Sequence, residues 1–247
     1  MNFGLPRDVS LDGYRIDGLL KATNGFAVSI TALGTAFLIF LLVRYSRRNP
    51  TLHARGESKF SVGWVMVVAL LVLGGMDGTL FIKAVTDLDG AFWNLTIPAK
   101  NASTVRLEID AHQWAWDVRY GGPDHRFNTP DDAVVLNDIK VPIDTPIVIE
   151  LTSTDVIHNF YLPNFRVKVD AVPGHINRMW FQARSPGQFE IACSQNCGVG
   201  HYKMRGTLTV LSQPAFQQWI AEASTLSERA YDLDDHSAHW GWAWSGP

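Results

Sequence analysis

QFEIACSQNCGVGHYKMRGTLTVL, residues Gln188 to Leu211, carries both cysteines of the chain in a loop between two strand-like runs. QFEIAC and RGTLTVL are short and rich in β-branched or aromatic residues, as strands are. VVLNDIK, IVIEL and RMWFQAR upstream share that signature, and several such strands within about 125 residues predict a β-sandwich or small barrel. TVRLEIDAHQWAWDVRY adds a detail. Its apolar residues fall on odd numbers at Val105, Leu107, Ile109 and Ala111, then on even numbers at Trp114, Trp116, Val118 and Tyr120. Strand side chains alternate faces, so the change of parity predicts a bulge or bend near His112 and Gln113. After about residue 212 the pattern turns helical (PAFQQWIAEAS), then ends in an acidic, Trp-rich tail.

The first third of the chain is different. Ala22 to Val43 holds no charge for about six helical turns, enough to cross about 30 Å of hydrocarbon. Phe60 to Ile82 is a second such run whose one charge, Asp77, stands toward one end, where a carboxylate reaches headgroups or water. Between them RYSRRNPTLHARGESK carries Arg44, Arg47, Arg48, Arg55 and Lys59 against Glu57. The positive-inside rule makes this loop cytoplasmic and places both termini on the extracytoplasmic side. The first 24 residues balance three basic against three acidic residues and do not read as a cleavable signal. The organisation that follows is an external segment over residues 1–24 and a transmembrane hairpin over 25–83 with its cytoplasmic loop at 44–59. An external all-β domain over 84–212 and a helix with tail over 213–247 complete it. From Thr86 to the C-terminus 19 acidic residues face 12 basic ones, a field that attracts a basic partner. The expected partners include the lipid bilayer and no nucleic acid.

On this topology both cysteines lie outside the cytoplasm, where a disulfide is the default. Their neighbours argue otherwise. Cys193, Cys197, His201 and Met204 supply two thiolates, an imidazole and a thioether within twelve residues, a soft set that suits copper or zinc. His158 follows the strand IVIEL and is a fifth candidate. Zinc leaves Met204 unused, and a mononuclear blue-copper site leaves one thiolate unused. Two cysteines, two histidines and a methionine suit a pair of copper ions bridged by both sulfurs.

HNFYLPNFRVKVDAVPG followed by MWFQARSPGQFEIACSQNCGVGHYKMRGTLTV resembles subunit II of the haem-copper cytochrome c oxidases, over roughly residues 22 to 220. The resemblance implies a two-helix transmembrane hairpin followed by an all-β cupredoxin-like Greek-key sandwich. It implies a binuclear copper A centre, with His158 and His201 on one copper each and Cys193 and Cys197 bridging. Met204 sulfur and the Gln195 carbonyl become the weak ligands. Trp114 matches the tryptophan through which the family takes electrons from cytochrome c, and Trp116 the second tryptophan, although periodicity alone makes both core residues.

Departures from the family pattern bear on the subunit interface. Gln195 stands where many members carry Glu, and a neutral amide is a poorer ligand for a hard cation, which tells against a magnesium ion there. His175 stands where an arginine is common. Glu57 lies where some relatives place a carboxylate at a proton-channel entrance, although a charge in such a loop is ordinarily just solvated. The implied activity is that of a respiratory cytochrome c oxidase. Electrons pass from cytochrome c through copper A to haem in a separate catalytic subunit, where oxygen reduction and proton translocation occur. The rival readings are the copper A subunit of a membrane nitric oxide reductase and a membrane-tethered copper or zinc binding module.

Overall fold

The computed structural model describes residues 4–46, 58–99 and 103–230. Two compact units divide the chain: residues 15–91, and residues 92–247 with the first 14.

In the helical unit α1 runs Gly13–Tyr45. A second continuous helix comprises α2 (Lys59–Leu70), a π-helical stretch (Leu71–Asp77), α3 (Gly78–Asp87) and a further π-helical stretch (Leu88–Phe92). Both helices are long and apolar enough to cross a bilayer. Phe37, Leu38, Ile39 and Phe40 are consecutive and all exposed, so α1 is apolar on every side rather than along one stripe. It starts ahead of the charge-free run because the Ser10 hydroxyl accepts the Gly13 N–H at 2.8 Å, itself held by Asp8 at 2.8 Å. Arg15 and Lys83 both donate to Asp87, at 2.9 and 2.8 Å, and fasten the start of α1 to α3. Asp77 closes the first π-helical stretch with its side chain on the outside of the helix. Glu57, Arg47, Arg48 and Arg55 lie outside the described residues, as does the tail after residue 230.

After the short α4 (Thr96–Ala99), ten strands build the other unit among the described residues. Sheet one contains β1 (Val105–His112), β2 (Ala115–Tyr120), β3 (Ala133–Leu136), β5 (Pro146–Ser153) and β8 (Asn177–Gln182), in the order β3-β2-β1-β5-β8. Sheet two contains β4 (Asp138–Pro142), β6 (His158–Leu162), β7 (Val167–Ala171), β9 (Gly187–Cys193) and β10 (Arg205–Leu211), in the order β4-β10-β9-β6-β7. The chain crosses repeatedly between the sheets and leaves β1 parallel to β5 and β4 parallel to β10. The result is the cupredoxin-like sandwich behind two apolar helices that the sequence led us to expect. Its core is aliphatic around Trp116, which is fully buried and meets Phe160 edge-on at 5.1 Å. Helix α5 (Gln213–Ala230) seals one edge through Phe216 and Trp219, the latter 5.0 Å from the Tyr120 ring.

Two local readings change. The parity shift at His112 and Gln113 is a chain reversal: β1 and β2 form a hairpin with Gln113 and Trp114 as its two-residue turn. Leu107 faces Tyr120, Ile109 faces Val118 and Ala111 faces Trp116, so odd residues of one strand share a face with even residues of the next. VVLNDIK is likewise two strands. Asn137 adopts φ +58°, a conformation asparagine tolerates, and turns the chain from sheet one into sheet two. Its side-chain oxygen accepts the Trp116 N–H at 2.8 Å, and its carbonyl accepts the Thr207 N–H at 2.8 Å.

Candidate metal centre

Strand β6 opens on His158 and pairs antiparallel with β9, which sets Phe160 opposite Cys193 at the end of β9. The loop from Cys193 then returns through a 3-10 turn at His201–Lys203 to Met204, one residue before β10. Adjacent strand ends therefore bring all six candidate ligands together. The two Sγ atoms are 3.8 Å apart, well beyond a disulfide bond, and both cysteines are free. His201 Nδ1 stands 3.5 Å from Cys197 Sγ, and Met204 Sδ stands 3.8 Å from it. His158 Nδ1 is 3.1 Å from Met204 Sδ, and the Gln195 carbonyl is 3.2 Å from Cys193 Sγ. The ligand atoms of His158, Cys193 and Cys197 all lie within 4.8 Å of one another. His158, Met204 and Cys197 are buried, whereas Gln195 is exposed and only its carbonyl turns inward.

Hydrogen bonds fix how these donors point. Asp155 Oδ1 is 2.8 Å from His158 Nε2, so Nε2 carries the proton and the Nδ1 lone pair faces the sulfurs. Burial works to raise the Asp155 pKa. Hydrogen bonds from His158 and from the N–H groups of Val156 and Gln113 outweigh it and hold the carboxyl below its ordinary range. The thiols split. Burial works against ionisation at Cys193, but His158 and nearby backbone N–H groups draw its pKa down, whereas burial and the neighbouring Cys193 push Cys197 up. One sulfur thus ionises at the expense of the other, and a bound cation would let both be thiolates. Two thiolates, two imidazoles, a thioether and a carbonyl at one spot fit copper. Zinc would leave Met204, buried among these donors, without a role.

The two tryptophans part company. Trp116 belongs to the core. Trp114 is 37% exposed, yet its Nε1 reaches the Cys197 carbonyl at 3.3 Å and its ring covers the backbone at Gly198 and Gly200. Val156, Ile157, Val199 and Tyr202 add an exposed apolar rim around the site. His175 sits exposed in the turn between β7 and β8. Asp155 and Gln113 were not singled out from sequence. The one local signal was the acid three residues ahead of His158 in TDVIH.

The family model for cytochrome c oxidase subunit II, periplasmic domain, matches residues 105–210. The alternative cytochrome c oxidase subunit 2 of Bradyrhizobium diazoefficiens is 32% identical over 246 residues, covering 87% of this chain and 82% of the relative. Cytochrome c oxidase subunit 2 of Cereibacter sphaeroides is 27% identical, covering 81% and 74%. Among solved structures, the periplasmic domain of subunit II of cytochrome oxidase from Bradyrhizobium japonicum is 30% identical, covering 51% of this chain and 96% of that one, with a TM-score of 0.44. The chain belongs to the cytochrome c oxidase subunit II family.

Proposed function

We propose that this chain is the electron-accepting subunit of a respiratory terminal oxidase. It takes electrons one at a time from a cytochrome c and passes them to haem in a catalytic subunit that reduces oxygen to water. The observation that carries this reading is the convergence of six soft or weak donors at one place. The two sulfurs are 3.8 Å apart, each within reach of an imidazole nitrogen or a weak ligand. In this reading Cys193, Cys197, His158 and His201 would hold a pair of copper ions, with Met204 sulfur and the Gln195 carbonyl as weak ligands. A bridged copper pair supplies a reversible one-electron couple with little change of shape. The chain's own part is to hold the donors still: Asp155 fixes the His158 tautomer, burial keeps water from Met204 and Cys197, and Trp114 offers a surface contact to the loop.

The basic residues of the 44–59 loop support a cytoplasmic loop with both termini and the copper domain outside. The neutral side chain at Gln195 gives a magnesium ion no carboxylate at that position. Electron paramagnetic resonance of the copper-loaded full-length chain tests the centre. Hyperfine structure from one electron shared over two copper nuclei is expected, and a single-copper pattern or a colourless zinc protein overturns the reading. Oxygen and nitric oxide consumption by the purified complex, measured side by side, tests the terminal acceptor, with oxygen expected.

A further inference from the structure

The turn between β1 and β2 reaches both halves of the ligand set. The side-chain N–H of Gln113 donates to the Cys197 carbonyl at 2.7 Å, and its main-chain N–H donates to Asp155 Oδ2 at 2.7 Å. The acceptor on the first bond is a carbonyl, so the amide must present its NH2 group there. On the second, Asp155 uses its other oxygen to hold His158 Nε2 at 2.8 Å. A single residue is thereby linked to Cys197 directly and to His158 through one carboxylate. The Cys193 end of the loop has its own tether, because the Ser194 N–H and hydroxyl both donate to Asn159 of β6, in the same sheet. The Cys197 end does not. Among the described residues, Gln113 and Trp114 are the two that hydrogen-bond the 193–204 loop from sheet one, and both bonds end on the Cys197 carbonyl. The Gln113 bond is the shorter by 0.6 Å, at 2.7 against 3.3 Å. Gly198 completes the seat: it adopts φ +117°, and a Cβ there would lie 2.8 Å from Gln113 Nε2.

Granting the copper reading above, we propose that Gln113 is a positioning residue for the metal centre, a clamp from sheet one that sets Cys197 against His158, both carried by sheet two. Its amide holds the Cys197 backbone, and with it the position from which Cys197 Sγ would serve a metal. Its backbone N–H orients the carboxylate that fixes the His158 tautomer. The amide bond to the Cys197 carbonyl also keeps the Cys197–Gly200 backbone under the Trp114 ring, so ligand geometry and the surface contact are set by one turn.

Gln113→Met in the full-length chain tests this, because methionine keeps the length and bulk of the side chain and loses the N–H. Copper retention against a competing chelator should weaken by about 10- to 100-fold, the usual effect of losing an outer partner of a ligand. The hyperfine coupling should become unequal between the two coppers, while the thermal midpoint of the metal-free chain stays at the wild-type value. Wild-type retention with an unchanged hyperfine pattern overturns the proposal. So does a metal-free midpoint that falls as far as the copper-loaded one, which marks a merely structural residue. Should the methionine variant not fold, Gln113→Glu, which keeps the shape and loses the same N–H, decides by the same measurements. A wild-type chain that shows a single-copper spectrum refutes the copper reading instead.

Discussion

Gly200→Ala separates the electron gateway from the copper centre. Gly200 has φ −90° and ψ 2°, the conformation of the third residue of a type I turn, which alanine can adopt, so the main change is what fills the space beyond Cα. That space is taken by the Trp114 indole: an added Cβ would stand 2.2 Å from Cδ2 and 2.6 Å from Cε2 and Cε3. Carbon atoms rest at about 3.5 Å, so ring and loop must part by roughly 1.3 Å. The ring is rigid, and it cannot swing aside without losing the Nε1 bond to the Cys197 carbonyl. Overpacking of this kind costs about 1–3 kcal/mol. A misplacement near 1 Å lowers a geometry-dependent rate by up to about a hundredfold. Reduction by cytochrome c, followed by stopped flow in the assembled complex, should therefore slow by on the order of tenfold or more. Copper content and hyperfine pattern should stay as in wild type, because no ligand is touched. Adding Trp114→Ala should restore the lost stability by vacating the space while leaving reduction slow. Wild-type reduction kinetics in Gly200→Ala would refute the reasoning. Gly198→Ala is no substitute, since φ +117° at that position makes any side chain a backbone problem as well.

Three further outcomes are expected. Met204→Leu conserves volume at a buried position and should change the metal-free stability by less than about 1.5 kcal/mol, yet alter the copper hyperfine pattern through loss of the sulfur beside His158. Asp110 is buried with Oδ1 unpartnered, and burial, then the Asp117 carboxylate, push its pKa from 3.8 to about 6. A raised folded-state value means stability present below about pH 4 and lost as pH rises through 6. Asp110→Asn should accordingly stabilise the chain by up to about 3 kcal/mol at pH 8 and leave it unchanged at pH 3.5, as calorimetry would show. The second-order rate of reduction by a basic cytochrome c should fall steeply between about 0.01 and 0.15 M salt, as screening shortens from ~30 to ~8 Å. A flat salt profile would mean that the acidic field does not steer the encounter.

Much of the candidate site was legible because its chemistry is local. CSQNCGVGHYKM packs five candidate ligands into twelve residues, and the flanking strands name the loop that carries them. His158 was reachable because a strand precedes it. The helices were legible because lipid demands long uncharged runs. Strand boundaries were harder. Odd-to-even parity is what a two-residue hairpin produces between antiparallel strands, so the shift at His112 and Gln113 alone does not separate a reversal from a bulge. Asn137 in VVLNDIK is one residue whose left-handed backbone sends the chain to the other sheet, and asparagine occurs too widely for that to be read in advance.

Apart from the acid in TDVIH, what fastens the ligands was not legible, for a reason of distance along the chain. Gln113 meets Asp155 from 42 residues away and Cys197 from 84, so each contact exists only after both sheets have formed. A motif specifies donors, because a metal accepts few atom types at few spacings. A clamp needs only an N–H at the right place, which nearly any residue in a turn can offer. The positions most useful for tuning this centre without removing a ligand are therefore those whose role arises from the packing of the β1–β2 turn on the copper loop. Gln113 and Asp155 are two of them, and each can be changed with all six donors left in place.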